Sequence, residues 1–194
     1  MSFYEEIEKS VKILEKGKCL LYPTDTVWGL GCDAFNLNSL EKIYKIKNRN
    51  ISKSMIILVE NMDRLYELIE NIPDLVKKII QDNYRKKGKP ITIVYKNPRK
   101  TVSKFLINNQ DNTLAIRLTN DPFCSYLIKK LDRPIISTSA NLSGFPTPKS
   151  FSEISSSILS KIDYSVHFRR KEKAHYNSSS ILKIISNKVK ILRM

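Results

Sequence analysis

Histidine is scarce in this sequence: His167 and His175 are the only two in 194 residues. That leaves too few ligands for a histidine-rich metal centre and argues against a Ser-His or Cys-His hydrolase. Cysteine is equally sparse. Cys19, Cys32 and Cys124 lie far apart, their number is odd, and no CxxC pair occurs. A disulfide framework or a zinc site is therefore not expected, and reduced thiols in a cytoplasmic protein fit the pattern. No run of 18 or more apolar residues occurs, so no membrane span is expected. The opening Met1-Ser2-Phe3-Tyr4-Glu5-Glu6 carries acids where a secretory signal needs bases, and no apolar stretch of that kind follows. Neither GxxxxGK[ST] nor GxGxxG is present, so any bound nucleotide must be held by another arrangement. Internal repeats, Gly/Ser linkers and low-complexity blocks are lacking too, and one domain spanning 1–194 is expected.

What is present in excess is positive charge. Lys and Arg number 34 against 19 Asp and Glu, a formal charge of +15. Two readings stand: an anionic partner such as a nucleotide or RNA, or the Lys-, Ile-, Asn- and Ser-rich composition of AT-rich coding. The lysines are scattered, with no aromatic-interleaved RNA-binding motif among them.

Periodicity outlines the fold. Residues 4–16 predict an amphipathic helix, with Ile7, Val11 and Leu14 at helical spacing and Gly17 as its stop. Cys19–Tyr22 reads as a buried strand and Thr24–Phe35 as a loop. Leu37–Lys47 reads as a helix capped by Asn36 or Asn38, and Met55–Val59 as a second buried strand. Helices follow at 62–70 and 74–86, divided at Pro73. Strands are expected at Pro90–Tyr95, Leu114–Leu118 and Pro134–Thr138, with a helix over Pro122–Leu131 before the last. A helix over 152–160 and closing strands at Tyr164–Phe168, Ser180–Ile185 and Lys188–Leu192 complete the chain. Residues 169–178 read as a polar, mobile loop. Alternation of strands and helices places the chain in the α/β class with a mixed sheet.

Three segments do not read as scaffold. The first is Tyr22-Pro23-Thr24-Asp25-Thr26-Val27-Trp28-Gly29-Leu30-Gly31-Cys32-Asp33. A buried strand runs into hydroxyls, a carboxylate and two glycines, groups that suit phosphate or carboxylate binding at a strand end. The alternative is a plain turn. The second runs from Lys45 to Ser54 and holds Lys45, Lys47, Arg49 and Lys53. Cations at a helix C-terminus also complement the helix dipole. Lys47 and Arg49 converge on one polyphosphate only if the helix has ended between them. The third is Ile135-Ile136-Ser137-Thr138-Ser139-Ala140-Asn141-Leu142-Ser143-Gly144. Here alternate positions of an extended segment send Ser and Asn to one side.

Taken in order, these segments resemble the YrdC/TsaC family of threonylcarbamoyl-AMP synthases. The matching runs are Pro23-Thr24-Asp25-Thr26-Val27-Trp28-Gly29-Leu30-Gly31, Lys47-Asn48-Arg49, Pro90-Ile91-Thr92, Ala115-Ile116-Arg117 and Ser139-Ala140-Asn141, covering residues 18 to about 150. Departures are Trp28 for the usual Tyr and Lys87-Gly88-Lys89-Pro90 for a Trp-Pro-Gly-Pro wall; residues from 151 match poorly. The resemblance implies a YrdC/RibB-like twisted open mixed sheet flanked by helices, around a large basic cavity. It implies catalytic roles for Lys47, Arg49, Ser139 and Asn141, and a threonine site of Thr26, Arg117, Ser137 and Ser179. Lys47, Arg49, Lys53, Thr113, Ser139, Asn141, Thr147 and Arg193 would line the ATP side. Mg²⁺ would come with ATP and no metal would be held by the protein alone; Asp25 and Asp33 would be outer supports at most. The implied substrates are ATP, L-threonine and bicarbonate. The implied partners are tRNA or double-stranded RNA and a downstream threonylcarbamoyl transferase complex. Two alternatives remain at this point: a non-catalytic double-stranded RNA- or ribosome-binding module of the same fold, and a related carbamoyl-transfer domain.

Overall fold

The computed structural model describes residues 2–108, 110–185 and 188–194. Its framework is a nine-stranded mixed sheet in the order β7-β1-β2-β6-β3-β5-β4-β8-β9. The strands are β1 (Leu20–Tyr22), β2 (Gly29–Asp33), β3 (Ile56–Val59), β4 (Ile91–Lys96), β5 (Thr113–Leu118), β6 (Ile135–Ser139), β7 (Tyr164–Ser165), β8 (Ser180–Ile185) and β9 (Lys188–Arg193). The helices are α1 (Phe3–Glu15), α2 (Leu37–Lys47), α3 (Met62–Leu68), α4 (Asp74–Arg85), α5 (Pro122–Leu131) and α6 (Ser156–Leu159).

Local chemistry sets the helix ends. Ser2 and Glu5 form a reciprocal capping box at the start of α1. Asn36 caps α2 through Ser39 N–H, and Asp121 caps α5 through Cys124 N–H. Asn48 ends α2 in the left-handed region at φ 48°, a conformation asparagine tolerates well.

Strand parity then sorts the core. Ile57 and Val59, Leu114 and Ile116, and Ile136 pack in a cluster with Leu40 and Ile43 of α2, Leu65 and Leu68 of α3 and Val76 of α4. Leu58 and Ile135 point the other way and pack with Ile7, Val11 and Leu14 of α1 and Leu127, Ile128 and Leu131 of α5. Truncating a buried isoleucine such as Ile136 to alanine costs about 2–5 kcal/mol. On that second face the apolar cover stops part way across. Ile56, Ser137, Ala115, Val94 and Lys183 continue the same rows: Ile56 pairs with Ser137, Ala115 with Val94, and Val94 with Lys183. Ser137 and Ala115, small side chains at the centre of those rows, leave room above the face.

Three expectations are corrected. The segment expected as a loop from Thr24 to Phe35 contains β2, wholly buried between β1 and β6. Its glycines mark close approach rather than a turn: a Cβ on Gly31 would lie 2.4 Å from Ile136 O and 2.7 Å from the Tyr22 ring. The helix expected over 152–160 is broken. A 3-10 turn at Phe151–Glu153 gives way to extended backbone at Ile154, which buries its side chain before α6 begins. The strand expected at Tyr164–Phe168 is confined to Tyr164–Ser165. From there Arg170 takes the carbonyls of Ser165 and Val166.

Candidate functional site

The open half of the second sheet face forms the floor of a cavity of about 360 Å³. Thr113, Ala115 and Arg117 of β5, Ser137 and Ser139 of β6, and Ile181 and Lys183 of β8 rise from it at alternate positions. The β1–β2 connection adds Thr24, Thr26 and Val27, the loop after α2 adds Arg49, and Thr147, Ser179 and Arg193 line it too. A site at strand termini was the expectation; the cavity instead lies across strands, where β5 and β6 lose their apolar residues.

Arg117 is the most constrained cation of the cavity wall. It is 4% exposed. Its Nη1 donates to Thr26 Oγ1 at 3.2 Å, and its Nη2 stands 3.2 Å from Asp25 Oδ1. The hydroxyls have a fixed direction. Thr24 Oγ1 donates to Val27 O at 2.7 Å and accepts Thr26 N–H at 3.0 Å. Thr26 Oγ1, 3.1 Å away, therefore donates to Thr24 and accepts from Arg117. Among the described residues nothing accepts from Arg117 Nε–H. Burial pushes the Asp25 carboxyl up from its usual range, and the Arg117 charge pulls it back. Ser179 is placed by Thr92 Oγ1 at 2.8 Å and by Arg193, whose Nε donates to Ser179 O at 3.0 Å.

The second cationic group is built differently. Because α2 ends at Lys47, Arg49 emerges from a loop and reaches the cavity; its Nη2 donates to Ser54 O at 3.0 Å and its Nε to Lys53 O at 3.3 Å. Lys47 lies behind the cavity wall. It is 2% exposed, and its Nζ donates to Asn141 O at 2.6 Å and to Ser139 O. Burial, with the Arg49 charge adding to it, lowers the amine from 10.5 to about 7.

Of the residues expected at the site, Thr26, Arg49, Thr113, Arg117, Ser137, Ser139, Thr147, Ser179 and Arg193 line one cavity. Lys47, Lys53 and Asn141 do not appear in its lining. Lys53 is exposed and offers its carbonyl to Arg49 and to the Tyr44 hydroxyl. Ser137 and Ser139 share a side as expected, but Asn141 lies past the end of β6. Its amide donates to Leu142 O and Phe145 O, and its Oδ1 is buried with no hydrogen-bond donor among the described residues. Asp33 pairs with Arg133 and accepts from Phe35 N–H, which makes it a scaffold group. Trp28 is buried against Phe151. The Lys87–Pro90 turn, at the C-terminal end of α4, does not line the cavity. Sequence reading missed Asp111 and Lys183, and placed Thr24 in the first motif without a role of its own; the parallel pairing of β8 with β4 brings Lys183 to Asp111. Asp111 is the one carboxylate among the described lining residues, and Thr113 and Lys183 both donate to it. No cluster of three metal-ligating side chains occurs among the described residues. Among those residues, no helix is long and apolar enough to cross a membrane.

The loop at 169–178, expected to be mobile, is tied down. Arg169 pairs with Asp121, Arg170 stacks over Phe151, and Ala174 N–H donates to Lys149 O at 2.7 Å.

Comparison with known proteins places this architecture. A threonylcarbamoyl-AMP synthase of Pseudoalteromonas translucida is 32% identical over 168 residues, 86% of this chain and 87% of that protein. One of Moraxella catarrhalis is 32% identical over 150 residues, 72% of this chain and 73% of its own. P. abyssi Sua5 complexed with L-threonine superposes with a TM-score of 0.82 at 25% identity, covering 100% of this chain. The chain spans just over half, 54%, of that Sua5 chain. E. coli YciO shares the fold, with a TM-score of 0.81 at 22% identity over 96% of this chain and 87% of its own. The Sua5/YciO/YrdC family model, described as telomere recombination, matches residues 12–194 and so continues through the segment after 150 where the motifs give out. The sheet, the cavity and this match agree, and the chain belongs to the Sua5/YciO/YrdC family.

Proposed function

We propose that this chain is an L-threonylcarbamoyladenylate synthase. It would take L-threonine, bicarbonate and MgATP and release threonylcarbamoyl-AMP and pyrophosphate, in the service of threonylcarbamoyladenosine formation at position 37 of tRNA. One observation carries the reading: a single cavity joins the buried, side-chain-held Arg117 to Arg49, Ser139 and Thr147. A fixed guanidinium suits a carboxylate, while a cation with hydroxyls beside it suits phosphate oxygens.

The chemistry asks for no side-chain nucleophile. The threonine ammonium group and bicarbonate give the carbamate, releasing water and a proton. A carbamate oxygen then forms a bond to the α-phosphorus of ATP as the bond to pyrophosphate breaks. The protein's part is to align anions and offset their repulsion. Arg117 and Thr26 would hold threonine, with Ser137 and Ser179 beside them. Arg49, Ser139, Thr113, Thr147 and Arg193 would face the nucleotide, with Lys47 and Asn141 bracing the end of β6 behind them. Mg²⁺ is read as part of the substrate, since Asp111 is already engaged by Lys183 and Thr113. This activity makes the chain a nucleotidyltransferase working in the cytoplasm, with a transferase complex and tRNA downstream.

The test is mass detection of threonylcarbamoyl-AMP from ATP, threonine and bicarbonate, with each component omitted in turn. Product and pyrophosphate are expected only when all three are present. Equal pyrophosphate release with serine, or without an amino acid, would overturn the reading. Salt-dependent RNA binding with no product would instead favour a binding module.

A further inference from the structure

We propose that Asp25 is a positioning residue for threonine: it does not line the cavity, but it fixes the guanidinium of Arg117 that does. The proposal rests on the threonine site described above and extends it to a residue behind the wall.

Arg117 has two partners, both from the β1–β2 connection. Thr26 accepts from Nη1, while Asp25 Oδ1, which makes no hydrogen bond among the described residues, stands 3.2 Å from Nη2 as its ion-pair partner and does not line the cavity. A guanidinium held at one point can swing about its long side chain, whereas a hydrogen bond at one nitrogen and a carboxylate beside the other restrict that rotation. Both partners are rigid in turn. Thr26 is locked by the Thr24–Val27 hydroxyl chain. The Asp25 side chain is 17% exposed and that of Arg117 5%, so little water competes for the pair.

Asp25 is itself supported from the 169–178 loop. Asp121 and Arg169 lie within electrostatic reach of it. Asp121 would repel the Asp25 carboxylate, and Arg169, paired with Asp121, offsets that repulsion. Arg169 takes up this position with φ at 60°, a conformation that L residues rarely adopt and that the surrounding contacts must hold. Two ion pairs therefore stand back to back between the loop and the cavity, Arg169 with Asp121 and Asp25 with Arg117. Without the Asp25 carboxylate, Arg117 would keep the Thr26 hydrogen bond and lose its ion-pair partner. Orientation is what a carboxylate-binding guanidinium contributes beyond charge.

The experiment is steady-state kinetics of Asp25→Asn, Asp25→Glu, Arg169→Gln and Arg117→Gln, each checked for a native melting transition. Asp25→Asn is expected to raise the threonine KM roughly 10- to 100-fold, the scale of a lost charge-assisted contact. The ATP KM should stay within about twofold, the threshold set here for no effect on binding. Asp25→Glu should recover part of the loss, and Arg169→Gln should raise the threonine KM less than Asp25→Asn does. A folded Asp25→Asn variant with an unchanged or lower threonine KM would overturn the proposal. So would equal rises in both KM values, the mark of general loosening. Should Asp25→Asn not fold, Arg169→Gln decides: a rise confined to the threonine KM supports the proposal and no rise overturns it. Arg117→Gln separates the two claims. If it leaves threonine use intact, the threonine site itself is misplaced. If it abolishes threonine use while Asp25→Asn does not change it, only the positioning role falls.

Discussion

The two cationic groups of the cavity are held in contrasting ways. Arg117 is fixed by side chains, Thr26 and Asp25, and one of them balances its charge. Arg49 and Lys47 are held by main-chain carbonyls of Ser54, Lys53, Ser139 and Asn141, with no carboxylate paired to either among the described residues. The first group has its charge balanced before any ligand arrives. The second carries uncompensated charge, which burial already disfavours: both Lys47 and Arg49 are pushed below their usual pKa ranges. Anionic phosphates would supply the missing counter-charge. A preset site suits a small amino acid that must be chosen accurately. An under-neutralised one suits a polyanion that brings its own charge and metal.

Four measurements sharpen or break that contrast. Arg117→Gln should have the largest effect, roughly a 10²- to 10³-fold loss in kcat/KM for threonine, because a buried pair is opened on both sides. Its salt dependence should be weak, since the site is screened from solvent. Arg49→Ala should lower kcat/KM for ATP by roughly 10- to 100-fold, with a clear salt dependence in the wild type that the variant loses. A similar threonine KM effect in both variants would erase the distinction between the two groups.

The third measurement uses the Lys47 amine. Its folded value of about 7 lies below the ordinary 10.5. Between those values the unfolded chain holds the proton and the folded protein does not, so this group's contribution to stability rises with pH and is lost as pH falls through 7. Polyphosphate nearby would raise the amine again. ATP binding at pH 8 should therefore take up about one proton, measured by calorimetry in buffers of different ionisation enthalpy. Lys47→Met should abolish that uptake. Unchanged uptake would remove Lys47 from the nucleotide group. The smallest effect is expected of Lys53→Ala. Lys53 contributes its carbonyl rather than its exposed side chain, so kcat/KM for ATP should change less than about threefold.

Much of this arrangement can be read along the chain. The amphipathic spacing of Ile7, Val11 and Leu14, the Asn36 cap and the breaks at Gly17 and Pro73 place α1 to α4 closely, because those signals are local. β2 could not be read in the same way. Glycine is disfavoured in strands, and what makes Gly31 fit is the carbonyl of Ile136, more than a hundred residues away in sequence. The break at Ile154 is likewise set by a tertiary pocket for one side chain. At the site, the residue types and their order identified Thr26, Arg49, Arg117 and Ser139. They did not distinguish a cation that lines the cavity from one that braces its wall, and Lys47 belongs to the second kind.

The first motif, Pro23 to Gly31, shows where the division falls. Its hydroxyls, carboxylate and glycines are enough to single it out as a candidate site segment, because hydrogen-bonding capacity belongs to residue types. Which way each group points depends on pairing across the sheet: β2 against β6, and Arg117 across to Thr26 and Asp25. Sequence by itself determined the chemistry available to this protein, since side-chain charge and hydrogen-bonding groups are fixed by composition. The tertiary structure decided which of those groups share a cavity and which stand behind it, because burial and partner choice exist only once distant strands have paired.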